Sequence, residues 1–309
     1  MARLAALSLF AAAVSAVAVA FAAEGTPILA TKLRERHPVA NGAYFAWGQD
    51  SVRKPYRYQV YARAGTGRAF RVSPSRTRGY PGGISASTLV YQVIRGHRSN
   101  LALYDLASRK RLAMPKGVNT AQWEWRPSIS GDWLLFSRHN LRTERIVLHN
   151  LRTGAERILD SGSMENGNVV MAGQVNGDFA VWDKCPRPQR CTVVRYSLST
   201  GIATPLPAPP GRAHYAASVA EDGTVYLARS EPKCGGSVEF WRYPLVGLPA
   251  RLFSLPAGFD IAATYVYTRA GKREATVNDV YYDRGRCKAR RFDIYRLSDV
   301  IRPPPPPPP

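Results

Sequence analysis

Apolar and polar residues alternate along most of this chain in short runs, which is the two-residue period of β-strands with one buried face. The pattern is clearest in residues 120–160, where runs at 120–129, 133–139, 144–151 and 155–160 are separated by Gly-, Asn-, Asp- or Ser-containing turns. These turn residues accept positive φ or bond their own backbone. The pattern therefore predicts four consecutive antiparallel strands.

Two markers recur along the chain about every 45 residues, a period typical of one four-stranded propeller blade. The first is a turn, found at Asn41-Gly42, Ser85-Ala86-Ser87, Ser130-Gly131-Asp132, Asn176-Gly177-Asp178, Glu221-Asp222-Gly223 and Ala270-Gly271-Lys272. The second ends a later strand, at Tyr104-Asp105-Leu106, His149-Asn150-Leu151, Tyr196-Ser197-Leu198, Tyr243-Pro244-Leu245 and Tyr295-Arg296-Leu297. We predict an all-β, six-bladed β-propeller, with His149 packed in the interior in place of the repeat's tyrosine.

The sixth repeat has no outer strand after Leu297. An open blade edge would expose unpaired backbone groups. We therefore expect residues 26–33, which precede the first repeat, to pair with residues 291–297 and close the ring.

The two ends of the chain differ in composition from the repeats. Residues 1–22 contain Arg3, an alanine-rich apolar run and a small-x-small site at 20–22, the layout of a secretory signal peptide. An uncleaved anchor stays open, because the run is just long enough to span a bilayer. We expect the propeller to occupy residues 26–301, and residues 302–309 to form a disordered polyproline tail.

Residues 125–159, WRPSISGDWLLFSRHNLRTERIVLHNLRTGAERIL, resemble a blade of the TolB-like (WD-repeat-like) propellers. The resemblance extends over residues 40–297 and implies the propeller fold. In the family this blade serves in scaffolding proteins and as the companion domain of some peptidases. The chain departs from the family's pattern in two ways. TolB carries a further N-terminal domain, and the peptidase relatives carry an α/β-hydrolase domain, neither of which is expected in this sequence. The resemblance implies an isolated propeller, secreted or in the cell envelope, where we expect a monomer with an envelope partner.

The formal net charge of the chain is +21. The basic residues concentrate in the loops that join the second and third strands of each repeat: Arg53, Lys54, Arg57, Arg98, Arg138, Arg142, Lys184, Arg187, Arg190, Lys233, Arg284, Arg286, Lys288 and Arg290. Because guanidinium groups bind oxyanions through paired hydrogen bonds, these loops predict a face for an anionic wall polymer, a lipid headgroup or an acidic protein. A merely solvated rim, from arginine-rich coding, is the open alternative. Nucleic acid is disfavoured by export, and no cofactor is indicated.

All four cysteines fall in the same loops, at Cys185, Cys191, Cys234 and Cys287. Four cysteines allow three pairings. Since the fifth and sixth blades are neighbours, we predict the disulfides Cys185–Cys191 and Cys234–Cys287. No Cys-x-x-Cys spacing supports a metal site.

An enzyme is the second interpretation. His37, His214 and Asp260 are predicted to lie near the mouth of the central channel, where a lyase or hydrolase site would form. Such a site requires convergent polar groups and a pocket of about 300 Å³ or more. No catalytic motif is present in the sequence, so we assign no catalytic residue and favour a binding module.

Overall fold

The computed structural model of the chain describes residues 26–29, 34–51, 54–186, 190–231, 236–255, 257–283 and 288–298. The regular elements in these ranges are β-strands, arranged in six four-stranded antiparallel sheets. In chain order the strands are β1 (Thr26–Leu29), β2 (Arg34–Ala40), β3 (Tyr44–Ser51), β4 (Lys54–Ala64), β5 (Phe70–Arg71), β6 (Arg78–Ser85), β7 (Thr88–Arg95), β8 (Arg98–Asp105), β9 (Lys110–Leu112), β10 (Trp123–Ser130), β11 (Trp133–His139), β12 (Thr143–Asn150), β13 (Glu156–Ser163), β14 (Val169–Asn176), β15 (Phe179–Cys185), β16 (Thr192–Ser197), β17 (Ala203–Leu206), β18 (Ala213–Val219), β19 (Val225–Ser230), β20 (Val238–Tyr243), β21 (Ala250–Leu255), β22 (Phe259–Arg269), β23 (Lys272–Asp283) and β24 (Lys288–Ser298).

Each sheet is one blade. Blades 1 to 5 contain β2–β5, β6–β9, β10–β13, β14–β17 and β18–β21, and neighbouring strands in each blade are consecutive in sequence. The first strand of each blade contacts the first strand of the next, and β22 contacts β2, so the six blades form a ring around an axis. The predicted six-bladed propeller is confirmed.

Blade 6 combines the two ends of the described chain, in the order β1-β24-β23-β22. Strand β1 pairs antiparallel with β24, and Thr26 lies opposite Arg296. The predicted closure is confirmed for Thr26–Leu29, whereas residues 30–33 lie outside the described residues. The predicted signal segment 1–22 and tail 302–309 also lie outside them.

The hydrophobic core lies between the blades. Because side chains alternate along a strand, each sheet buries both faces against its neighbours. Between blades 3 and 4, for example, Leu135 and Ile146 pack with Val170 and Trp182. His149 in β12 is buried, at 1% exposure, as predicted from its place in the repeat.

Candidate functional site

The ring has two unlike faces. We call the side that carries the connections between the second and third strands of each blade the loop face, and the opposite side the turn face. Antiparallel strands place successive connections at opposite ends of a sheet. Among the described residues, Arg98, Arg142 and Arg190 therefore lie on the loop face, at the connections between second and third strands.

The structure places the predicted basic residues in different environments. Arg98, Arg142 and Arg190 are exposed. Lys54, Lys288 and Arg290 belong to β4 and β24, but their side chains are outside the described part of the chain. Five further predictions fall outside the described residues: Arg53, Arg187, Lys233, Arg284 and Arg286.

Arg138 is not part of an open surface, contrary to the prediction. Its side chain is 9% exposed and forms a bidentate pair with Glu156, with Nη1–Oε1 and Nη2–Oε2 distances of 2.6 and 3.0 Å. Its Nε lies 3.3 Å from Oε1 of buried Glu124, and Nη2 donates to the carbonyls of Gly117 and Val118. The buried Nε makes no hydrogen bond, but both Nη atoms are held by blade 3 and by the segment that precedes it, so Arg138 is an interior residue.

The charge of Lys184 is also neutralised, by the neighbouring carboxylate of Asp160. Its Nζ lies 3.0 Å from both carboxylate oxygens of Asp160, and the Asp160 side chain is 15% exposed. Arg142 differs, because its ion pair with Glu165 is long, at 3.6 Å, and both side chains are exposed. Arg142 thus remains open to solvent.

Acidic residues are distributed unequally between the two faces. Near the loop face, Asp50, Glu144 and Asp183 are at most 2% exposed. On the turn face, the side chains of Asp132 and Asp222 are 51% and 54% exposed. Three loop-face carboxylates are therefore buried, whereas Glu165 is exposed beside Arg142. The turn face presents both signs of charge.

The central channel is lined by all six first strands, β2, β6, β10, β14, β18 and β22, at the level of a β-bulge in each strand. A bulge turns an extra residue out of the ladder. His37, Arg126 and Ala216 adopt φ of about 50° there. At Gly82 a Cβ atom would lie 1.9 Å from the Pro127 carbonyl oxygen, so only glycine fits this close blade contact.

The channel is crossed by two side chains toward its turn-face end. Gln174 of blade 4 donates to the Val266 carbonyl of blade 6 at 2.7 Å. The Tyr265 hydroxyl of blade 6 accepts from the amide of Ile84 in blade 2 at 3.3 Å. The cavity that remains has a volume of about 80 Å³. This volume suits a few water molecules or a small ion and is well below that of a typical pocket for an organic ligand.

The cavity contains one cation beside one buried carboxylate. Arg126 Nη1 lies 4.0 Å from Asp183 Oδ2, which also accepts from the Ala216 amide at 3.2 Å. Asp183 Oδ1 is buried and has no hydrogen-bond partner. Burial raises the pKa of Asp183 to about 6, although the charge of Arg126 opposes that shift.

The pKa values of two neighbours of Arg126, Glu144 and His37, are shifted in opposite directions. Burial raises the pKa of Glu144 to about 7, against the favourable charge of Arg126. Burial, followed by the charges of Arg126 and Arg36, lowers the pKa of His37 to about 3. His37 is consequently neutral at pH 7, and the charge of this region changes through its carboxylates.

The three residues predicted at the channel mouth do not share one site. His37 lines the cavity, but His214 and Asp260 do not. His214 is fully buried beside Arg229, whose Nε donates to His214 Nε2 at 3.0 Å, and its Nδ1 lies 3.1 Å from the Leu206 carbonyl. Asp260 accepts from the Tyr215 hydroxyl. The cavity therefore does not bring the three predicted residues together. The polar residues that line it with His37 are Arg126, Gln174, Asp183, Thr264 and Tyr265.

One of the two predicted disulfides lies in the described part of the chain. Cys185 and Cys191 are bonded, with their Cα atoms 4.0 Å apart. The bond closes the short β15–β16 loop beside exposed Arg190. Cys234 and Cys287 lie outside the described residues, so their pairing stays a prediction.

A second cavity, of about 250 Å³, lies on the outer side of blade 2. It is lined by predicted Arg98 and by two arginines that the loop pattern did not include, Arg95 and Arg111. The hairpin sequence Arg95-Gly96-His97-Arg98 indicates a pair of neighbouring cations, since its two arginines lie opposite each other in the register of β7 and β8. Arg111 lies in β9 and therefore outside the loops in which the basic residues concentrate.

Comparison with known proteins identifies the fold and little beyond it. No protein-family model matches the sequence, and no curated protein matches it. Among solved structures 524 chains match, so this architecture alone does not select a function. Over the described residues, no helix is long and apolar enough to cross a membrane.

Three solved structures illustrate the range of similar proteins. TolB from Acinetobacter baumannii is 18% identical, with a TM-score of 0.54 over 84% of this chain and 64% of that chain. A putative TolB from Agrobacterium tumefaciens is 12% identical, with a TM-score of 0.59 over 88% and 92%. An oligogalacturonate lyase from Vibrio parahaemolyticus is 9% identical, with a TM-score of 0.50 over 86% and 80%. This chain spans less than two thirds of the A. baumannii protein, and these identities establish the fold alone.

Proposed function

We propose that this chain, a TolB-like six-bladed β-propeller, is an exported binding or scaffolding module of the cell envelope. Its loop face contacts an anionic partner, for which a wall polymer is our working choice. A propeller suits this role because it presents a broad, rigid face without needing a deep pocket.

The observation that supports the anionic partner is the burial of three loop-face carboxylates, which leaves exposed Arg98 and Arg190 without an acidic neighbour among the described residues. Asp50, Glu144 and Asp183 are withdrawn from solvent, and among the described residues no carboxylate lies within ion-pair distance of exposed Arg98 or Arg190. Unpaired guanidinium groups bind phosphate or carboxylate oxygens through paired hydrogen bonds. Arg98 and Arg190 are therefore the loop-face cations available to an anionic partner, whereas Arg142 has Glu165 beside it.

Export is supported by the predicted signal segment and by the Cys185–Cys191 disulfide, which persists in oxidising compartments. The TolB-like fold fits a protein-binding role in the envelope. An acidic envelope protein would use the same cationic face as a polymer.

The test is binding of the purified chain to polyphosphate at increasing salt concentration. Because each neutralised charge releases a counterion, affinity should fall steeply with salt. The double variant Arg98→Ala/Arg190→Ala removes two charges from the loop face, and we expect weaker binding and a log–log salt slope smaller by about 1.5.

The matched control is Lys110→Ala/Lys272→Ala, which removes two exposed charges from the turn face. Both variants lower the net charge equally, so only a face-specific contact separates them. Salt-independent binding, or equal weakening by both variants, would refute the proposal.

A further inference from the structure

The outer side of blade 2 carries a cavity that is separate from the central channel. Strands β7 and β8 provide Arg95 and Arg98, which lie opposite each other in the strand register, and β9 provides Arg111. Arg111 is paired in register with Tyr104, which lies on the same face of β8 as Arg98 and Asn100, because alternate residues share a face. Three arginines from three strands therefore line one concavity.

The cavity exists because the outer edge of β8 is covered by two different elements. Strand β9 pairs only with residues 103–105 of β8. Further along, the Asn119 side chain accepts from the Leu101 amide at 2.7 Å and donates to the Leu101 carbonyl at 2.9 Å. Asn119 thus satisfies the strand edge in place of a backbone partner, and the change of element leaves a gap that the arginines border.

The charged residues that line the cavity are all cations. Its lining contains no acidic residue. Within the part of the chain that the structure describes, Arg95, Arg98 and Arg111 form no ion pair, unlike Arg138 one blade further on. All three are exposed at the surface. Like charges held around one concavity repel one another, and a bound anion removes that repulsion.

We propose that this cavity binds a phosphate ester of about monosaccharide size. The proposal rests on the proposed anion-binding function and narrows it to one site. A phosphate monoester carries nearly two negative charges and three acceptor oxygens at pH 7, which matches three arginines better than the single charge of a carboxylate. The volume of about 250 Å³ corresponds to about eight waters of bulk liquid, more than a bare phosphate ion needs, and Asn100 lines it as a partner for ligand hydroxyls.

The test is calorimetric titration of the purified chain with glucose 6-phosphate, glucuronate and glucose at low salt. We expect glucose 6-phosphate to bind, glucuronate to bind at least several-fold more weakly, and glucose not to bind. Affinity for glucose 6-phosphate should fall between pH 7.5 and 5, because the second ionisation of the ester is near pH 6. Glucuronate binding as tightly as glucose 6-phosphate, or no binding of glucose 6-phosphate, overturns the proposal.

The site is tested with Arg111→Ala, and Lys110→Ala is the matched control on the same short strand. Lys110 is exposed and does not line the cavity. Loss of a charge-assisted hydrogen bond should weaken glucose 6-phosphate binding at least tenfold in Arg111→Ala, with less than twofold change in Lys110→Ala. Equal affinities of the two variants overturn the assignment, and thermal unfolding verifies that both are folded.

Polyphosphate distinguishes the two proposals, because Arg111 lies in an outer strand and not in a loop of the loop face. Salt-dependent polyphosphate binding without glucose 6-phosphate binding refutes the cavity and leaves the binding module standing. Glucose 6-phosphate binding without polyphosphate binding refutes the loop-face contact and leaves the cavity standing.

Discussion

Gln174 and Val266 are joined by a pair of hydrogen bonds across the axis of the ring, although their blades are not neighbours. Gln174 Nε2 donates to the Val266 carbonyl at 2.7 Å, and the Val266 amide donates to Gln174 Oε1 at 3.2 Å. The same Oε1 accepts from the Val219 amide of blade 5 at 3.3 Å. One carboxamide therefore links blades 4, 5 and 6 across the channel.

Replacing Gln174 by alanine should destabilise the whole ring. The change leaves the Val266 amide and carbonyl and the Val219 amide unpaired in a buried place, which costs about 1–3 kcal/mol for a group left unsatisfied. We expect the free energy of unfolding in urea to fall by about 3 kcal/mol. Gln122→Ala, at a part-exposed glutamine, is the control and should change it by less than about 0.5 kcal/mol. Equal stability of the two variants would show that the cross-axis bonds contribute nothing.

Removing β1 should open blade 6. A chain beginning at residue 30 leaves the outer edge of β24 without its partner, because Thr26–Leu29 supplies that pairing. We expect the melting temperature to fall by about 5–10 °C, as follows from a loss of about 2–3 kcal/mol in a domain of this size. Removal of residues 299–309 in a parallel variant tests whether any truncation has this effect. An unchanged melting temperature after loss of β1 would mean that closure does not stabilise the ring.

Replacing Arg138 or Arg142 by alanine should lower the free energy of unfolding by very different amounts. Arg138→Ala leaves buried Glu124 without its cation, and breaking a buried pair costs about 3–5 kcal/mol. Arg142→Ala removes an exposed, long ion pair, which contributes at most about 1 kcal/mol. Urea unfolding of both variants measures the difference. If the two losses are alike, Arg138 is not an interior structural residue.

Asp183 should make the protein less stable as pH rises toward neutrality. Its pKa is about 6 in the folded state against 3.8 for the free group. Between these values the folded state retains a proton that the unfolded state has released, so the free energy of unfolding falls as pH rises through this window. From pH 4 to 7 the loss from this group is up to about 3 kcal/mol.

The variant Asp183→Asn cannot ionise and should lack that loss. We expect the free energies of unfolding in urea of wild type and variant to diverge from pH 4 to 7, with the variant becoming the more stable of the two relative to pH 4. His37 acts in the opposite sense, since its lowered pKa removes stability as pH falls below 6.5, but it is present in both proteins and cancels in their difference. Asp132→Asn, at an exposed carboxylate, is the control. Parallel pH profiles for Asp183→Asn and wild type would contradict the prediction.

The sequence predicted the strands and their order because these depend on local periodicity. Alternation, turn residues and a fixed repeat length are read within one blade, and the missing sixth outer strand follows from comparing blades. The sequence did not predict which of the charged side chains are buried and which are exposed. Arg138 and Arg142 look alike in the sequence, but both faces of β11 are covered by neighbouring blades and Arg138 is buried against Glu124 and Glu156, whereas Arg142 lies in the following turn.

The sequence by itself determined the six-bladed architecture and the donor of the closing strand, because both depend on spacing along the chain. The Cys185–Cys191 pair followed from the predicted order of the blades. The tertiary structure alone decided which polar groups meet. Arg126 and Asp183 come from different blades, as do Gln174 and Val266, and their meeting depends on the ring's curvature and on the bulges of its first strands. Arg95, Arg98 and Arg111 share a cavity because β9 is short and Asn119 covers the rest of the strand edge. Such contacts depend on packing between elements, which no local period encodes.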